Sequence, residues 1–145
     1  MAIWIEPIDL TIIRERSRNT MVEYLDIQFI EIGDDFLTAT MPVDHRTRQP
    51  LGYLNGGASC ALAESVGSTA ANFCIKQAER FCVGLDINAN HLRPATQGLV
   101  TAIARPVHLG QRTQVWNIDI FDDNNKQICI SRLTMAVVER GSKTS

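Results

Sequence analysis

The segment with the clearest potential for chemistry is Gln49–Ala58, in which Gly56 and Gly57 are adjacent and which a lone carboxylate, Glu64, soon follows. Adjacent glycines at the start of a helix leave backbone N–H groups accessible to a carbonyl or an anion. Glu64 lies among apolar and small residues, where we expect little water. Polarising amides close to a half-buried carboxylate are what hydrolysis of an activated acyl group requires.

The spacing of these groups leaves the arrangement of the site open. Gly57 and Glu64 are about 10 Å apart along a helix axis, and the amides at a helix start point along that axis rather than toward Glu64. Ser68 lies one turn beyond Glu64 on the same helix face. A lone glutamate can also be a structural acid, and Gly-Gly can be an ordinary turn, but the surrounding motifs favour catalysis.

The elements that must position these groups follow from residue patterns. Residues 9–20 predict a short helix, and Tyr24–Val43 predicts two strands that are joined by a turn at Gly33–Asp35. Residues 58–77 are small or apolar on nearly every face, which is typical of a long buried helix. Four further strands are predicted at Val83–Asn90, Leu99–Val107, Thr113–Phe121 and Gln127–Val138. This order predicts an α+β fold with a mostly antiparallel sheet around one central helix.

Length and composition exclude several classes of protein. The chain has 145 residues, 45% hydrophobic and 21% charged, which predicts a single globular domain over residues 1–145. A net charge of −2 gives no reason to expect nucleic acid or a membrane surface as a partner. We find neither a basic, apolar leader nor a run of about 20 apolar residues. We therefore expect a cytoplasmic protein.

The cysteines and histidines give no sign of a disulfide framework or of a metal site. The four cysteines are irregularly spaced in mostly apolar surroundings, which favours reduced, packed thiols. They are Cys60, Cys74, Cys82 and Cys129. The three histidines lack metal-ligand spacing; they are His45, His91 and His108. We expect no metal and no cofactor.

Motifs along nearly the whole chain together resemble the hotdog-fold thioesterases, in which a curved sheet wraps around one long helix. The resemblance is to the bacterial branch that contains 1,4-dihydroxy-2-naphthoyl-CoA thioesterase of menaquinone synthesis and the proofreading thioesterase of enterobactin assembly. The segments that carry it are Gly33–Asp35, Ala39–Asp44, Gln49–Gly52, Gly56–Ser59, Leu62–Ser65, Val83–His91, His108–Gly110, Gln114–Trp116 and Ser131–Thr134.

The resemblance implies roles for four matching residues. Glu64 would act on the thioester as a nucleophile or a general base, and the Gly57 N–H would polarise the thioester carbonyl. Gln49 would help to position the reacting group, and Ser68 would assist with water or with the carboxylate.

One position departs from the family pattern. The family has histidine where this chain has Asn55, and that histidine is thought to hold the thioester and to assist the leaving thiolate. Asparagine can donate a hydrogen bond but cannot exchange a proton near pH 7. The change puts the rate in question more than the chemistry.

The resemblance also implies contacts with the substrate. His91 and Arg93, which share a face if they lie on a strand end, would lie near the nucleotide end of coenzyme A. The segments His108-Leu109-Gly110 and Val83-Gly84 would border the pantetheine channel. Thr69 would face the acyl group.

These observations predict an acyl-CoA thioesterase that prefers an aromatic acyl group, with 1,4-dihydroxy-2-naphthoyl-CoA as the leading candidate and an acyl-carrier protein as another acyl donor. Two alternatives are a hotdog hydratase or dehydratase that acts on acyl thioesters, and an acyl-thioester binding module weakened by Asn55. The family's habit implies a homodimer or a homotetramer, with Glu64 of one chain beside Gly57 of the other.

Overall fold

The computed structural model describes residues 1–141 and contains one antiparallel sheet with a long helix packed against it. The elements are α1 (Leu10–Arg16), α2 (Met21–Tyr24), β1 (Gln28–Ile32), β2 (Leu37–Pro42), α3 (Gly56–Phe73), β3 (Arg80–His91), β4 (Leu99–Leu109), β5 (Thr113–Phe121) and β6 (Gln127–Glu139). The predicted order of a short helix, two strands, a long helix and four strands is confirmed, with α2 as an additional turn of helix. Within residues 1–141, no helix is both long enough and apolar enough to cross a membrane.

The six strands lie in the order β1-β2-β4-β5-β6-β3, and every neighbouring pair is antiparallel. A tight turn joins β1 to β2, where the Gly33 N–H donates to the Phe36 carbonyl at 2.9 Å. After α3 the chain enters the opposite edge of the sheet as β3, which pairs only with β6 among the described strands. The sheet therefore ends in a twelve-residue edge strand.

The core lies between α3 and the sheet. Leu62, Val66 and Ala70 of α3 are fully buried against five strands, β2 to β6. Burial of side chains such as Leu62 and Val66 contributes about 1.5–3 kcal/mol each. Gly67 permits the close packing, because a Cβ added there would lie 2.7 Å from Leu133 Cδ2. A larger residue at position 67 would push the helix away from the sheet.

The long helix begins two residues earlier and ends four residues earlier than the predicted range 58–77. It ends at Phe73 because the rest of the chain satisfies its last carbonyls. The Phe73 carbonyl accepts from the N–H groups of Ile5 at 2.8 Å and Glu6 at 3.1 Å. The side chain of Gln77 donates to the Asn72 carbonyl at 2.7 Å.

The helix is not buried on every face, contrary to the sequence prediction. The side chains of Glu64, Ser65 and Ser68 are only half-buried, since one face of α3 lies away from the sheet in a single chain. The N-terminal prediction was also too long. Asp9 caps α1, and a left-handed backbone at Asn19 (φ 59°) separates α1 from α2 within the range predicted as one helix.

Candidate active site

The loop before α3 is held by polar contacts that fix where the helix starts. A 2.6 Å contact joins Arg46 to Asp44, and hydrogen bonding to this guanidinium lowers the pKa of Asp44 to about 2. The Thr47 hydroxyl donates to the Pro42 carbonyl at 2.9 Å, and the Thr47 carbonyl accepts from the Asn55 N–H at 2.7 Å. The position of Asn55 is thereby tied to the end of β2.

Asn55 is the N-cap of α3. Its side-chain Oδ1 accepts from the Gly57 N–H at 2.7 Å, and its carbonyl accepts from Ala58 and Ser59. The prediction that the amide of Gly57 is accessible was therefore wrong, because the side chain of Asn55, two residues earlier, already accepts its hydrogen bond. Asparagine is among the best N-cap residues, so the sequence did contain a signal for this contact.

The free donor at the helix start is Gly56. Within residues 1–141, nothing accepts a hydrogen bond from the Gly56 N–H. The imidazole of His91 lies directly over this residue, because a Cβ added to Gly56 would be 2.9 Å from His91 Nε2. The structure therefore brings the imidazole of His91 to the helix start, where position 55 is an asparagine.

We call the space at this end of the helix the mouth cavity; it has a volume of about 290 Å³. Four residues singled out here line it: Gln49, Gly56, His91 and Arg93. His91 is the last residue of β3, and Arg93 lies just beyond the strand, where its Nη1 donates to the Gln127 carbonyl at 2.7 Å. The two residues do not share a strand, but they do share a cavity.

Glu64 lies half-buried in the middle of α3, where the helix meets β3. Its carboxylate lies against the backbone of Gly84, and a Cβ on Gly84 would overlap Glu64 Oε1. The pKa of the neighbouring Cys60 thiol is raised, first by burial and second by the Glu64 carboxylate. Glu64 thus occupies a place on the sheet edge that only a glycine in β3 leaves open.

All four cysteines are free thiols, as predicted.

One turn beyond Glu64 is a second space, which we call the helix cavity. It lies between α1, α2 and the second half of α3 and has a volume of about 390 Å³. Ser68 and Thr69 line it, as does Phe73. Ser68, predicted to assist with water or the carboxylate, and Thr69, predicted to face the acyl group, therefore share a cavity on the C-terminal side of Glu64.

A single chain does not bring the predicted pantetheine residues together. Leu109 pairs with Gln114, which pairs with Met135, which pairs with Gly84. Leu109 and Gly84 therefore lie on one row of the sheet but three strands apart, or about 14 Å. His108 and Gly110 lie at the same hairpin as Leu109. The channel that both segments are expected to border stays a prediction.

Comparison with known proteins decides the family. Residues 51–129 match the thioesterase superfamily. The chain belongs to that superfamily. A 1,4-dihydroxy-2-naphthoyl-CoA hydrolase of Escherichia coli is 52% identical over 94% of this chain and 99% of its own length. A proofreading thioesterase of Cronobacter turicensis is 44% identical over 94% of this chain and 98% of its own length.

Solved structures agree with the sequence relatives. A mutant thioesterase from Pseudomonas aeruginosa matches with a TM-score of 0.94 and 47% identity, over 96% of this chain and all of that one (100%). The predicted hotdog fold is confirmed, and the protein is a thioester hydrolase. These findings favour hydrolysis over the hydratase and binding-module alternatives.

The contact between Glu64 and Gly84 can be tested with Gly84→Ala. The added Cβ would displace only the end of a flexible side chain, so we expect thermal stability close to that of the parent. Turnover of benzoyl-CoA should fall about tenfold to a hundredfold, because misplacement of a reacting group by about 1 Å has that effect. Gly141→Ala is the control, since a Cβ there meets nothing within 4 Å. Parent-like turnover in Gly84→Ala would contradict a role for this contact.

Proposed function

We propose that the protein hydrolyses an aromatic acyl-CoA thioester, with 1,4-dihydroxy-2-naphthoyl-CoA of menaquinone synthesis as the leading candidate. The name of the Escherichia coli relative, a 1,4-dihydroxy-2-naphthoyl-CoA hydrolase, supports an aromatic acyl group. The observation that carries the proposal is the position of Glu64, a half-buried carboxylate at the helix–sheet junction beside the exposed strand β3. An acyl-carrier protein is a second acyl donor compatible with the same chemistry.

Two chains form the complete site in this proposal. The outer edge of β3 has backbone N–H and C=O groups without a strand partner among the described residues, and Val83 and Leu85 are 44% and 62% exposed there. A long exposed edge of this kind favours pairing with another strand. Pairing of β3 with its copy would bring Glu64 of one chain toward Gly57 and the mouth cavity of the other. A symmetric dimer is then the minimum active unit, and two dimers would form a tetramer.

The proposed reaction uses the carboxylate and the helix amides together. Glu64 either activates water or attacks the thioester carbon itself, and the carbonyl oxygen becomes negative in the tetrahedral transition state. Backbone N–H groups at the helix start of the other chain stabilise that charge, an effect of about 3–4 kcal/mol for each donor in comparable sites. Gln49 positions the thioester, and Ser68 supports the carboxylate or water. The products are a carboxylic acid and the free thiol of coenzyme A.

In this chain the side chain of Asn55 competes with the substrate for one of the helix amides. The substrate carbonyl and Asn55 Oδ1 both require the Gly57 N–H, which Asn55 holds at 2.7 Å. The Gly56 N–H has no such competitor among residues 1–141. Rotation of the Asn55 side chain would release the Gly57 N–H and present the Nδ2 group as a donor. We therefore propose that Gly56 and Gly57 both serve the oxyanion, the latter only after Asn55 moves.

The role of Glu64 is tested by Glu64→Gln. We expect turnover to fall about a thousandfold, which is within the range for loss of a general base, while the fold is retained. Release of free coenzyme A from benzoyl-CoA and 1,4-dihydroxy-2-naphthoyl-CoA, followed with a thiol reagent, measures this. Glu31→Gln, an exposed position on β1, is the matched control. Turnover above a few per cent of the parent rate would contradict the assignment.

The competition at the helix start is tested by Asn55→His. Turnover should rise several-fold, because the amide oxygen that now accepts from the Gly57 N–H is removed and an imidazole is gained. Asn55→Ala separates the two effects: it also removes the acceptor but supplies no imidazole, at about 1 kcal/mol of stability for the lost cap. If Asn55→His is no faster than the parent on any ester, the proposed effect of Asn55 is wrong.

The shared site is tested by hybrid dimers. Chains with Glu64→Ala and chains with Gly57→Pro, each inactive alone, are mixed, unfolded mildly and refolded together. Each hybrid would contain one intact pair of Glu64 and Gly57, so partial activity should return. Refolding of each variant separately is the control. An active monomer in a sizing experiment would overturn the two-chain site.

A further inference from the structure

The helix cavity has features that the thioesterase chemistry does not use. It begins at Ser68 and Thr69, about 6 Å along the helix axis beyond Glu64, and it extends past Phe73 to Gln77. An acyl group whose carbonyl lies at Glu64 and whose ring extends toward the C-terminal end of α3 would enter this space. Its far end would meet the side chains that close the cavity there.

Two arginines close that far end. Arg16 of α1 donates through Nη1 to Gln77 Oε1 at 3.1 Å, and Arg140 donates through Nε to the Gln77 carbonyl at 2.7 Å. Each guanidinium also lies over an aromatic ring at 5.3 Å from its centroid, Arg16 over Phe73 and Arg140 over Phe81. Both residues are exposed, and these contacts orient their guanidiniums along the cavity wall.

Neither guanidinium has an acidic partner in the described part of the chain. The one ion pair among residues 1–141 joins Arg46 to Asp44, in the loop before α3. The nearby Glu6 accepts from the Gln77 N–H at 3.0 Å but makes no ion pair with either arginine. Most N–H groups of both guanidiniums are thus left to bind another acceptor.

Three of the four hydroxyls that line the same cavity, those of Ser17, Thr20 and Thr69, already donate to backbone carbonyls, and the fourth, that of Ser68, lies at the end near Glu64. Ser17 donates to the Ile13 carbonyl at 2.8 Å, and Thr69 donates to the Ser65 carbonyl at 2.7 Å. Since each hydroxyl has only one proton to give, the guanidiniums are the available donors near the cavity's far end. A ligand that fits the lining would place its aromatic part beside Phe73 and an oxygen acceptor near the arginines.

We propose that the helix cavity binds the far end of the acyl group and that Arg16 and Arg140 favour acyl groups with an oxygen acceptor there, with an anionic oxygen bound most strongly. The inference rests on the proposed function, because it uses the same site with Glu64 at the reacting carbonyl. Guanidinium groups match carboxylate oxygens in geometry and form strong charge-assisted hydrogen bonds with them. The two arginines are specificity-determining residues and take no part in bond breaking.

The test compares two esters that differ only at the far end of the ring, benzoyl-CoA and 4-carboxybenzoyl-CoA. The unmodified protein should have a kcat/KM about tenfold higher for the carboxylated ester. In Arg16→Gln and in Arg140→Gln, kcat/KM for the carboxylated ester should fall about tenfold, while kcat/KM for the neutral ester should stay close to that of the unmodified protein. Arg14→Gln is the matched control, because it removes the same charge from α1 at a position that does not line the cavity.

A second measurement needs no variant and so does not depend on how well variants fold. The product acid terephthalate should inhibit hydrolysis of benzoyl-CoA about tenfold more strongly than benzoate does, because only terephthalate places a second carboxylate at the arginines. Equal kcat/KM for the two esters, equal inhibition by the two acids, or equal losses on both esters in the arginine variants would overturn the inference alone. If neither ester is cleaved and 1,4-dihydroxy-2-naphthoyl-CoA is not cleaved either, the proposed function fails and the inference fails with it.

Discussion

The close approach of α3 to the sheet is the constraint on which the rest of the molecule depends. Gly67 lets the helix lie against Leu133, and Gly84 leaves room for the Glu64 carboxylate beside β3. The side chain of Asn72 then joins the two elements, accepting from the Cys82 N–H at 2.8 Å and donating to the Cys82 carbonyl at 3.2 Å. A helix with larger side chains would stand farther from the sheet, and Glu64 would lose the position it now has.

The two ends of this helix are treated differently, and each end adjoins a cavity. At the start, Asn55 caps the helix, and His91 and Arg93 line the mouth cavity beside the Gly56 N–H, which has no acceptor among residues 1–141. At the other end, backbone N–H groups of the N-terminal segment donate to the Phe73 carbonyl, and α1 and α2 cover the helix cavity. Glu64 lies between the two cavities. The mouth cavity is next to the polar amides of the helix start, and the helix cavity is next to an aromatic ring and two cations.

In the proposed site a single chain is incomplete, for a geometric reason. The N–H groups at a helix start point along the axis and away from the middle of the same helix, where Glu64 lies about 10 Å further along. The exposed edge of β3 lies beside Glu64, so the strand edge that the proposed dimer uses adjoins the carboxylate.

The sequence by itself determined the class of fold and the class of reaction. Strand alternation and a stretch of small residues predicted the six strands and the long helix, because these periodicities reflect local geometry. The motifs around Gly57 and Glu64 predicted a thioesterase. Sequence could also have predicted the N-cap, since the preference of asparagine for that position is local.

Only the tertiary structure decided where the helix ends, which amide is free and what lies around Glu64. The helix stops at Phe73 because Ile5 and Glu6, distant in sequence, take its last carbonyl. His91 reaches Gly56 because β3 ends beside the helix start, and Arg16 meets Arg140 at Gln77 because the two ends of the chain converge there. These contacts join residues far apart along the chain, and no local pattern of residue types encodes which distant backbone will arrive as a partner.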